Sequence, residues 1–180
     1  MKLTQETHVA LSALTDLGCR PGGAIVGSAE LADRINVSPA FLSKILQRLG
    51  AAGIVRGHRG RQRGYSLALP ADRTSVRAVA EALEGESLFE RCVFWTDVCS
   101  DVHPCPLHDM WKRIRPIMRD EFTALTIAEL ARRKTRGGVV DVPLAAPPPT
   151  KKASPKVSDS RSTAKRKAAS RRKAPAGRSS

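Results

Sequence analysis

The chain has 180 residues, of which 41% are hydrophobic and 27% are charged, and it carries a net charge of +14. This composition fits one or two soluble domains, and no uncharged stretch reaches the length of a membrane span or of a signal-peptide core. We therefore expect a cytoplasmic protein that has no membrane partner and keeps its cysteines reduced.

Two helical patterns open the chain. Thr4 can cap a first helix, whose apolar residues recur at helical spacing until Gly18. Ser28 then starts a short helix over residues 29–35, with an acidic residue in its first turn. Cys19 stands alone in a turn between the two helices, so we interpret it as structural or incidental.

A third helix follows after a short turn. Asn36 and Val37 form this turn, Ser38 is a favoured N-cap, and Pro39 is a favoured first helical residue. An apolar stripe then recurs at helical spacing until Gly53, a residue type that commonly ends a helix. Two short helices joined in this way are typical of a helix-turn-helix motif, although an ordinary helical hairpin has the same pattern. The residues that would face a DNA major groove are Ser38, Ala40, Phe41, Ser43, Lys44, Gln47 and Arg48.

Two short strands come next, over residues 54–56 and 65–69, and they flank a basic turn punctuated by glycines. Four arginines lie between residues 56 and 63, where they would repel one another unless phosphates neutralised them. Arginine is also well suited to a narrow minor groove. A helix-turn-helix followed by a basic hairpin indicates a winged helix, with its wing over residues 54–69. The predicted DNA contacts of the wing are Arg59, Arg61 and Arg63.

Three of the four cysteines lie close together after a fourth helical pattern, and a histidine follows the last of them by three residues. They are Cys92, Cys99, Cys105 and His108, and the residues between the cysteines that indicate a polar loop are Asp97, Ser100, Asp101 and Pro104. Clustered thiolates with an imidazole suit zinc, copper or an iron–sulfur cluster, whereas magnesium and calcium prefer oxygen ligands. Cysteines packed as small hydrophobic residues are the alternative, but a polar loop offers them no core. We therefore predict a metal-binding loop over residues 92–108.

A long apolar face follows this loop. Hydrophobic residues recur at helical spacing over residues 109–125. A small winged domain seldom needs so long an apolar helix for its own core, so we predict a dimerisation helix; packing onto its own domain is the alternative. Thr126 and Glu129 form a capping box that opens a last short helix.

Most of the basic charge lies at the C-terminal end. Residues 147–180 contain eleven Lys or Arg against one Asp, which leaves twenty basic and sixteen acidic residues before them. A segment rich in Ala, Pro, Ser, Lys and Arg cannot bury enough apolar surface to offset the entropy of ordering. We predict a folded domain over residues 1–133 and a disordered tail over residues 134–180. The tail would attract nucleic acid, or it would only improve solubility.

With these elements in this order, the chain closely resembles the Rrf family of bacterial winged-helix iron–sulfur transcriptional regulators, which has IscR-like and NsrR-like members. The resemblance runs from Met1 to about Arg132. The residues that carry it are Met1-Lys2-Leu3-Thr4, Val37-Ser38-Pro39-Ala40-Phe41-Leu42, Arg59-Gly60, Gly64-Tyr65, the three loop cysteines and Thr126-Ile127-Ala128-Glu129-Leu130.

The resemblance implies that Cys92, Cys99 and Cys105 each give a thiolate to an iron–sulfur cluster, with 2Fe–2S favoured and 4Fe–4S as the alternative. IscR-like members take a histidine as fourth ligand at the place of His108. NsrR-like members use a residue near the N-terminus that reaches across the dimer, where this chain has His8. The resemblance also implies a homodimer that binds a double-stranded DNA operator.

The function predicted in this way is a DNA-binding transcriptional regulator that senses iron–sulfur status, nitric oxide or redox stress. Three thiolates and one weaker ligand would leave one iron open to reaction or loss. One alternative keeps DNA binding but has a structural zinc site, against which the lack of a Cys-x-x-Cys pair argues. Another alternative is an architectural protein that binds nucleic acid through its basic tail, but this alternative leaves the cysteine loop unexplained. We find no phosphate loop, nucleophile motif or acidic metal site in the sequence, so we do not predict an enzyme.

Overall fold

The computed structural model describes residues 3–95 and 98–136, so most of the predicted tail lies outside the described residues. The fold within them is mainly helical with one antiparallel two-stranded hairpin, which confirms the predicted winged-helix class. No helix among these residues is both long and apolar enough to cross a membrane. The elements are α1 (Gln5–Gly18), α2 (Ser28–Arg34), α3 (Pro39–Ala51), β1 (Val55–His58), β2 (Gly64–Leu67), α4 (Val76–Glu84), α5 (His108–Ala124) and α6 (Ile127–Thr135), with short 3-10 helices at Ala71–Arg73 and Glu86–Phe89.

Helices α2 and α3 form the predicted helix-turn-helix. Asn36 adopts the left-handed conformation in the turn, with φ of 54°, which asparagine tolerates better than most residues. The Ser38 hydroxyl accepts a hydrogen bond from the Phe41 N–H at 3.3 Å, so it caps α3 as predicted. Helix α2 differs slightly from the prediction, because it begins at Ser28 itself and ends at Arg34.

The wing is attached to the domain through its second strand. Strands β1 and β2 lie within the predicted wing and pair antiparallel, with Gly57 opposite Tyr65 and His58 opposite Gly64. Tyr65 also exchanges both backbone hydrogen bonds with Val26, at N–O distances of 2.8 and 2.9 Å. The segment before α2 therefore holds β2 on the side opposite β1.

Helix α1 lies at the centre of the main hydrophobic core. It packs against α3, α4 and α6, so the last described helix returns to the first. Thr4 occupies the N-cap position of α1, but the predicted side-chain cap is absent: its hydroxyl accepts no hydrogen bond from the helix backbone and instead donates to the Glu84 carboxylate. The largest fully buried side chains of this core are Leu14, Leu31, Leu42, Ile45, Leu46, Leu49 and Ile127.

Helix α5 has two apolar faces, whereas the sequence predicted one. Trp111 is buried, and Phe122 packs edge-on against Phe89 with 5.4 Å between the ring centroids, so one face covers its own domain. Packing onto its own domain, the alternative considered above, is therefore correct for this face. The dimerisation prediction rests on the other face, whose exposed residues are Met110, Ile114 and Ile117.

Candidate functional site

Backbone contacts close the start of the cysteine loop, defined as residues 92–108. The Cys99 N–H donates to the Glu90 carbonyl at 2.9 Å, and Arg91 forms a β-bridge to the same part of the loop. The indole N–H of Trp111 donates to the Arg91 carbonyl at 2.9 Å. These contacts bring the beginning of the loop against α5, which starts at the end of the loop.

The four predicted ligands form two close pairs in this loop. The Sγ atoms of Cys92 and Cys105 are 3.4 Å apart, and the Cys99 Sγ is 3.4 Å from Nδ1 of His108. Both pairs line one cavity of about 310 Å³, and the cysteines are free thiols. Two sulfurs bound to one tetrahedral metal at about 2.3 Å would be about 3.8 Å apart, so Cys92 and Cys105 need to separate only slightly to bind one metal.

The two buried thiols of the site differ in acidity. The backbone N–H groups of Trp95 and Phe94 point at the Cys92 Sγ, at 3.3 and 3.4 Å, and they hold the pKa of that thiol below its ordinary value. Burial, together with the neighbouring Cys92, raises the pKa of Cys105. N–H groups directed at sulfur favour the thiolate, which is the form that binds metal.

A carboxylate orients the imidazole of His108. Its Nε2 lies 2.7 Å from Oδ1 of Asp101, which also accepts from Lys112 Nζ at 2.7 Å. Lys112 and then His108 hold the pKa of Asp101 below its ordinary value. An ionised carboxylate can only accept, so Nε2 carries the proton and Nδ1, which faces Cys99, keeps a lone pair when the ring is neutral. Metal-binding histidines commonly have such a partner on their other nitrogen.

The arrangement of the donors bears on the kind of metal group that they could hold. Across residues 3–95 and 98–136, no group of three or more His, Cys, Asp or Glu side chains is placed to hold a metal ion. A closed zinc site needs all four donors on one ion, whereas a cluster distributes its ligands over different irons. The soft donors of this loop suit zinc or an iron–sulfur cluster, and they do not suit a hard cation such as magnesium or calcium.

Two other candidates from the sequence lie away from the cavity. His8 is exposed on α1 and does not line the cavity of its own chain. Cys19 follows the end of α1, where its Sγ lies 3.8 Å from the carbonyl oxygen of Ala131. Cys19 is exposed and does not line the cavity, and its interpretation as structural or incidental stays a prediction. A ligand role for His8, reaching across a dimer, stays the alternative.

Sequence reasoning missed Asp101 and Lys112. The spacing of four residues between His108 and Lys112 would have indicated that they share one face of α5. No periodicity marked Asp101, because it lies in the irregular loop before the helix.

Most of the predicted DNA-binding side chains are exposed, although Phe41 and Ser43 are half-buried. Arg48 is exposed but already has partners within its own chain, since its guanidinium pairs with Glu6 of α1 and donates to the Leu83 carbonyl at 2.6 Å. These contacts fix the end of α3, and direct contact of Arg48 with DNA stays a prediction. The exposed members of the set are Ser38, Ala40, Lys44, Gln47, Arg48, Arg59, Arg61 and Arg63.

Comparison with known proteins gives matches along most of the described chain. The sequence model of the Rrf2 family, described as an iron-dependent transcriptional regulator, matches residues 3–133. The HTH-type transcriptional regulator IscR of Sodalis glossinidius is 28% identical over 141 residues, which are 78% of this chain and 85% of that protein.

Solved structures share the fold. The crystal structure of Staphylococcus aureus CymR in its oxidized form is 27% identical with a TM-score of 0.58, over 73% of this chain and 96% of that one. The structure of T. potens IscR is 23% identical with a TM-score of 0.59, over 76% of this chain and 90% of that one, which is a likeness of fold.

Proposed function

The chain belongs to the Rrf2 family of DNA-binding transcriptional regulators, and we propose that it is a homodimeric member whose occupancy of its operator depends on an iron–sulfur cluster. The family is one of regulators and not of enzymes. A regulator of transcription acts where the DNA is, so we place the protein in the cytoplasm. The signal that we propose is iron–sulfur status, nitric oxide or redox stress.

The observation that carries the cluster proposal is the pairing of four soft donors in one cavity. Cys92 with Cys105, and Cys99 with His108, would hold the cluster through three thiolates and Nδ1. We propose a 2Fe–2S cluster, with 4Fe–4S as the alternative. When bound, the cluster supplies irons that change oxidation state and react with small oxidants.

The surrounding residues prepare the ligands. The backbone N–H groups of Phe94 and Trp95 stabilise the Cys92 thiolate, and Asp101 turns Nδ1 of His108 toward the cavity. A neutral imidazole binds iron less strongly than a thiolate does, so His108 is the ligand most easily exchanged. The site therefore combines stable attachment with one weak position, as a sensor requires.

DNA recognition is proposed for two surfaces. The exposed face of α3 would enter the major groove, and Arg59, Arg61 and Arg63 of the wing would follow the adjacent minor groove. The basic residues of 147–180 would add neutralisation of phosphates that does not depend on sequence.

The exposed face of α5 supports the proposed homodimer. Met110, Ile114 and Ile117 are 38%, 40% and 62% exposed and recur at helical spacing. A second copy of the helix would cover this stripe and set the distance between two recognition helices, and hence between two half-sites on the DNA.

Anaerobically purified protein tests the cluster proposal. We expect a brown protein with absorption in the visible and about two irons and two sulfides per chain, as for a 2Fe–2S cluster. Removing the cluster should change the affinity for operator DNA. Colourless protein with stoichiometric zinc would contradict the cluster proposal and support a structural zinc site.

The ligands are tested one at a time. Changing Cys92, Cys99 or Cys105 to Ala should abolish the colour while leaving a folded dimer, because the apolar faces that we assign to the core and the dimer lie outside the loop. Cys19→Ala is the control and should keep its colour. Equal loss of colour in the Cys19 variant would overturn the ligand assignment.

A further inference from the structure

Two arginines from different parts of the domain bind the same end of helix α4. Arg48, in the last turn of α3, donates through Nη2 to the carbonyl of Leu83 at 2.6 Å. Arg91, the residue before Cys92, donates through Nη2 to the carbonyl of Glu84 at 3.1 Å. These carbonyls are consecutive, so the recognition helix and the cysteine loop meet at one point.

The end of α4 is suited to cations that come from elsewhere in the chain. The last carbonyls of an α-helix have no partner within the helix and carry partial negative charge. Helix α4 has no basic residue in its own last turn. Arg48 and Arg91 therefore satisfy carbonyls that the helix leaves free, and a charged donor makes a stronger hydrogen bond than a neutral one.

Arg91 is tied to the cysteine loop by its backbone. The Arg91 carbonyl accepts a hydrogen bond from the indole N–H of Trp111 at 2.9 Å. Arg91 also forms a β-bridge to Val98, which precedes Cys99. Cys92 follows it directly in the chain. A change in the order of this loop therefore acts on residues that are bonded or bridged to Arg91.

Arg48 is fixed from a second side. Its guanidinium also pairs with Glu6 of α1, and the carboxylate of Glu84 accepts hydrogen bonds from Thr4 and Thr7 at the start of α1. The beginning of α1, the end of α3 and the end of α4 thus form one junction. Movement of the α4 end within this junction changes how the end of α3 is held.

We propose that Arg91 is a positioning residue that couples the cysteine loop to the recognition helix α3, through the carbonyl end of α4 and Arg48. This inference rests on the proposed function, because it supplies the physical connection between the cluster site and the DNA-binding surface. When the loop's cysteines and His108 hold a cluster, the loop is ordered and Arg91 stays hydrogen-bonded to the Glu84 carbonyl. When the loop is not held in this way, Arg91 is withdrawn from that carbonyl. Helix α3 then loses part of the support at its C-terminal end.

The test compares the DNA affinity of the cluster-loaded and the cluster-free full-length chain by fluorescence anisotropy. The probe is a DNA duplex selected from a random library by the wild-type protein in both states. The ratio of the two dissociation constants measures the coupling, which is about 5- to 150-fold in typical allosteric proteins. We expect Arg91→Ala to load its cluster, judged by visible absorption and iron content, and to bring the ratio to within about twofold of 1.

Amide hydrogen exchange gives a second readout that does not depend on DNA. Removing the cluster from the wild-type protein should change the exchange rates of peptides from α3, residues 39–51. In Arg91→Ala the same peptides should exchange alike with and without the cluster. A purely structural role for Arg91 would shift exchange equally in both states.

Arg115→Ala is the matched control. Arg115 also lies beside the loop and pairs with Glu90 at 3.5 Å, but its partner is a carboxylate and not a carbonyl of α4. Its loss should leave the ratio within about twofold of the wild-type value. Arg48→Ala and the double variant complete a cycle, in which the double variant should have the same ratio as Arg91→Ala because both arginines act through one junction.

The outcomes separate this inference from the proposed function. A wild-type ratio of 1 overturns both. A wild-type ratio far from 1 that persists in Arg91→Ala overturns the inference alone, as does an equal loss of the ratio in Arg115→Ala. If Arg91→Ala folds but cannot load a cluster, Arg91 builds the site and does not couple it to α3, which also overturns the inference.

Discussion

The attachment of the wing predicts that Gly64→Ala is far more damaging than the same change at Gly57. A Cβ atom at Gly64 would lie 2.7 Å from the carbonyl carbon of Val26, closer still to its oxygen, and 3.0 Å from Cγ2 of Ile25. The obstacle is backbone, so it cannot rotate away. Either β2 or the segment at Val26 must move.

The magnitude follows from the contacts that such a movement breaks. Overpacking a well-packed position costs about 1–3 kcal/mol. The two hydrogen bonds between Val26 and Tyr65 are adjacent to the clash, and each contributes about 1 kcal/mol. We expect Gly64→Ala to lower the free energy of unfolding by about 3 kcal/mol, which corresponds to a fall in Tm of roughly 10 °C for a domain of this size.

Gly57→Ala is the matched control in the same hairpin. A Cβ atom there would meet only the Tyr65 ring, at 3.6 Å, which is an ordinary van der Waals contact. Its Tm should stay within about 2 °C of the wild type. Thermal unfolding followed by circular dichroism measures both variants, and equal Tm values for the two would refute the reasoning. At a temperature where Gly64→Ala is still folded, its operator affinity should also fall, because the displaced strand carries the wing.

The remaining predictions concern the ligands, the DNA contacts and the loss of folding stability at low pH. His108→Ala should alter the visible spectrum of the cluster and His8→Ala should not; the reverse result would imply a ligand that crosses the dimer. Arg59→Ala should weaken operator binding by about 1–3 kcal/mol more than binding to random DNA, whereas deletion of residues 147–180 should weaken both alike and flatten the salt dependence. Burial raises the pKa of Glu84, but hydrogen bonds from the start of α1 outweigh it and leave the pKa below the ordinary value of 4.5. The charged form therefore stabilises the fold above about pH 4.5, and the stability difference between wild type and Glu84→Gln should narrow as the pH falls below that value in urea titrations.

Local signals were sufficient to predict where helices α3 and α6 begin. The hydrogen bond from the Phe41 N–H to the Ser38 hydroxyl joins residues three positions apart, and the bond from the Glu129 N–H to the Thr126 hydroxyl does the same at 3.3 Å. Such caps depend on the chemistry of one helical turn. They need no knowledge of how the helices pack.

Contacts between distant residues could not be predicted in this way. Arg48 faces away from the apolar stripe of α3 and was assigned to DNA for that reason, yet Glu6 lies 42 residues before it and Leu83 lies 35 residues after it. The Thr4 hydroxyl binds Glu84 across 80 residues. Helical periodicity tells which face a side chain occupies, but only the packing of the helices decides which group it meets there.

The three functional roles assigned around α5 share its first turns, which links them physically. The helix begins at His108, the proposed fourth ligand, and three residues later Trp111 anchors the loop through the Arg91 carbonyl. Met110 and Ile114 lie in the same turns and belong to the exposed stripe. A rotation of α5 against a second copy would therefore move the ligand and the anchor of the loop together. The geometry of the proposed dimer and the state of the cysteine loop are thus not independent, and a substitution in the stripe should change the spectrum of the cluster as well as the strength of dimerisation.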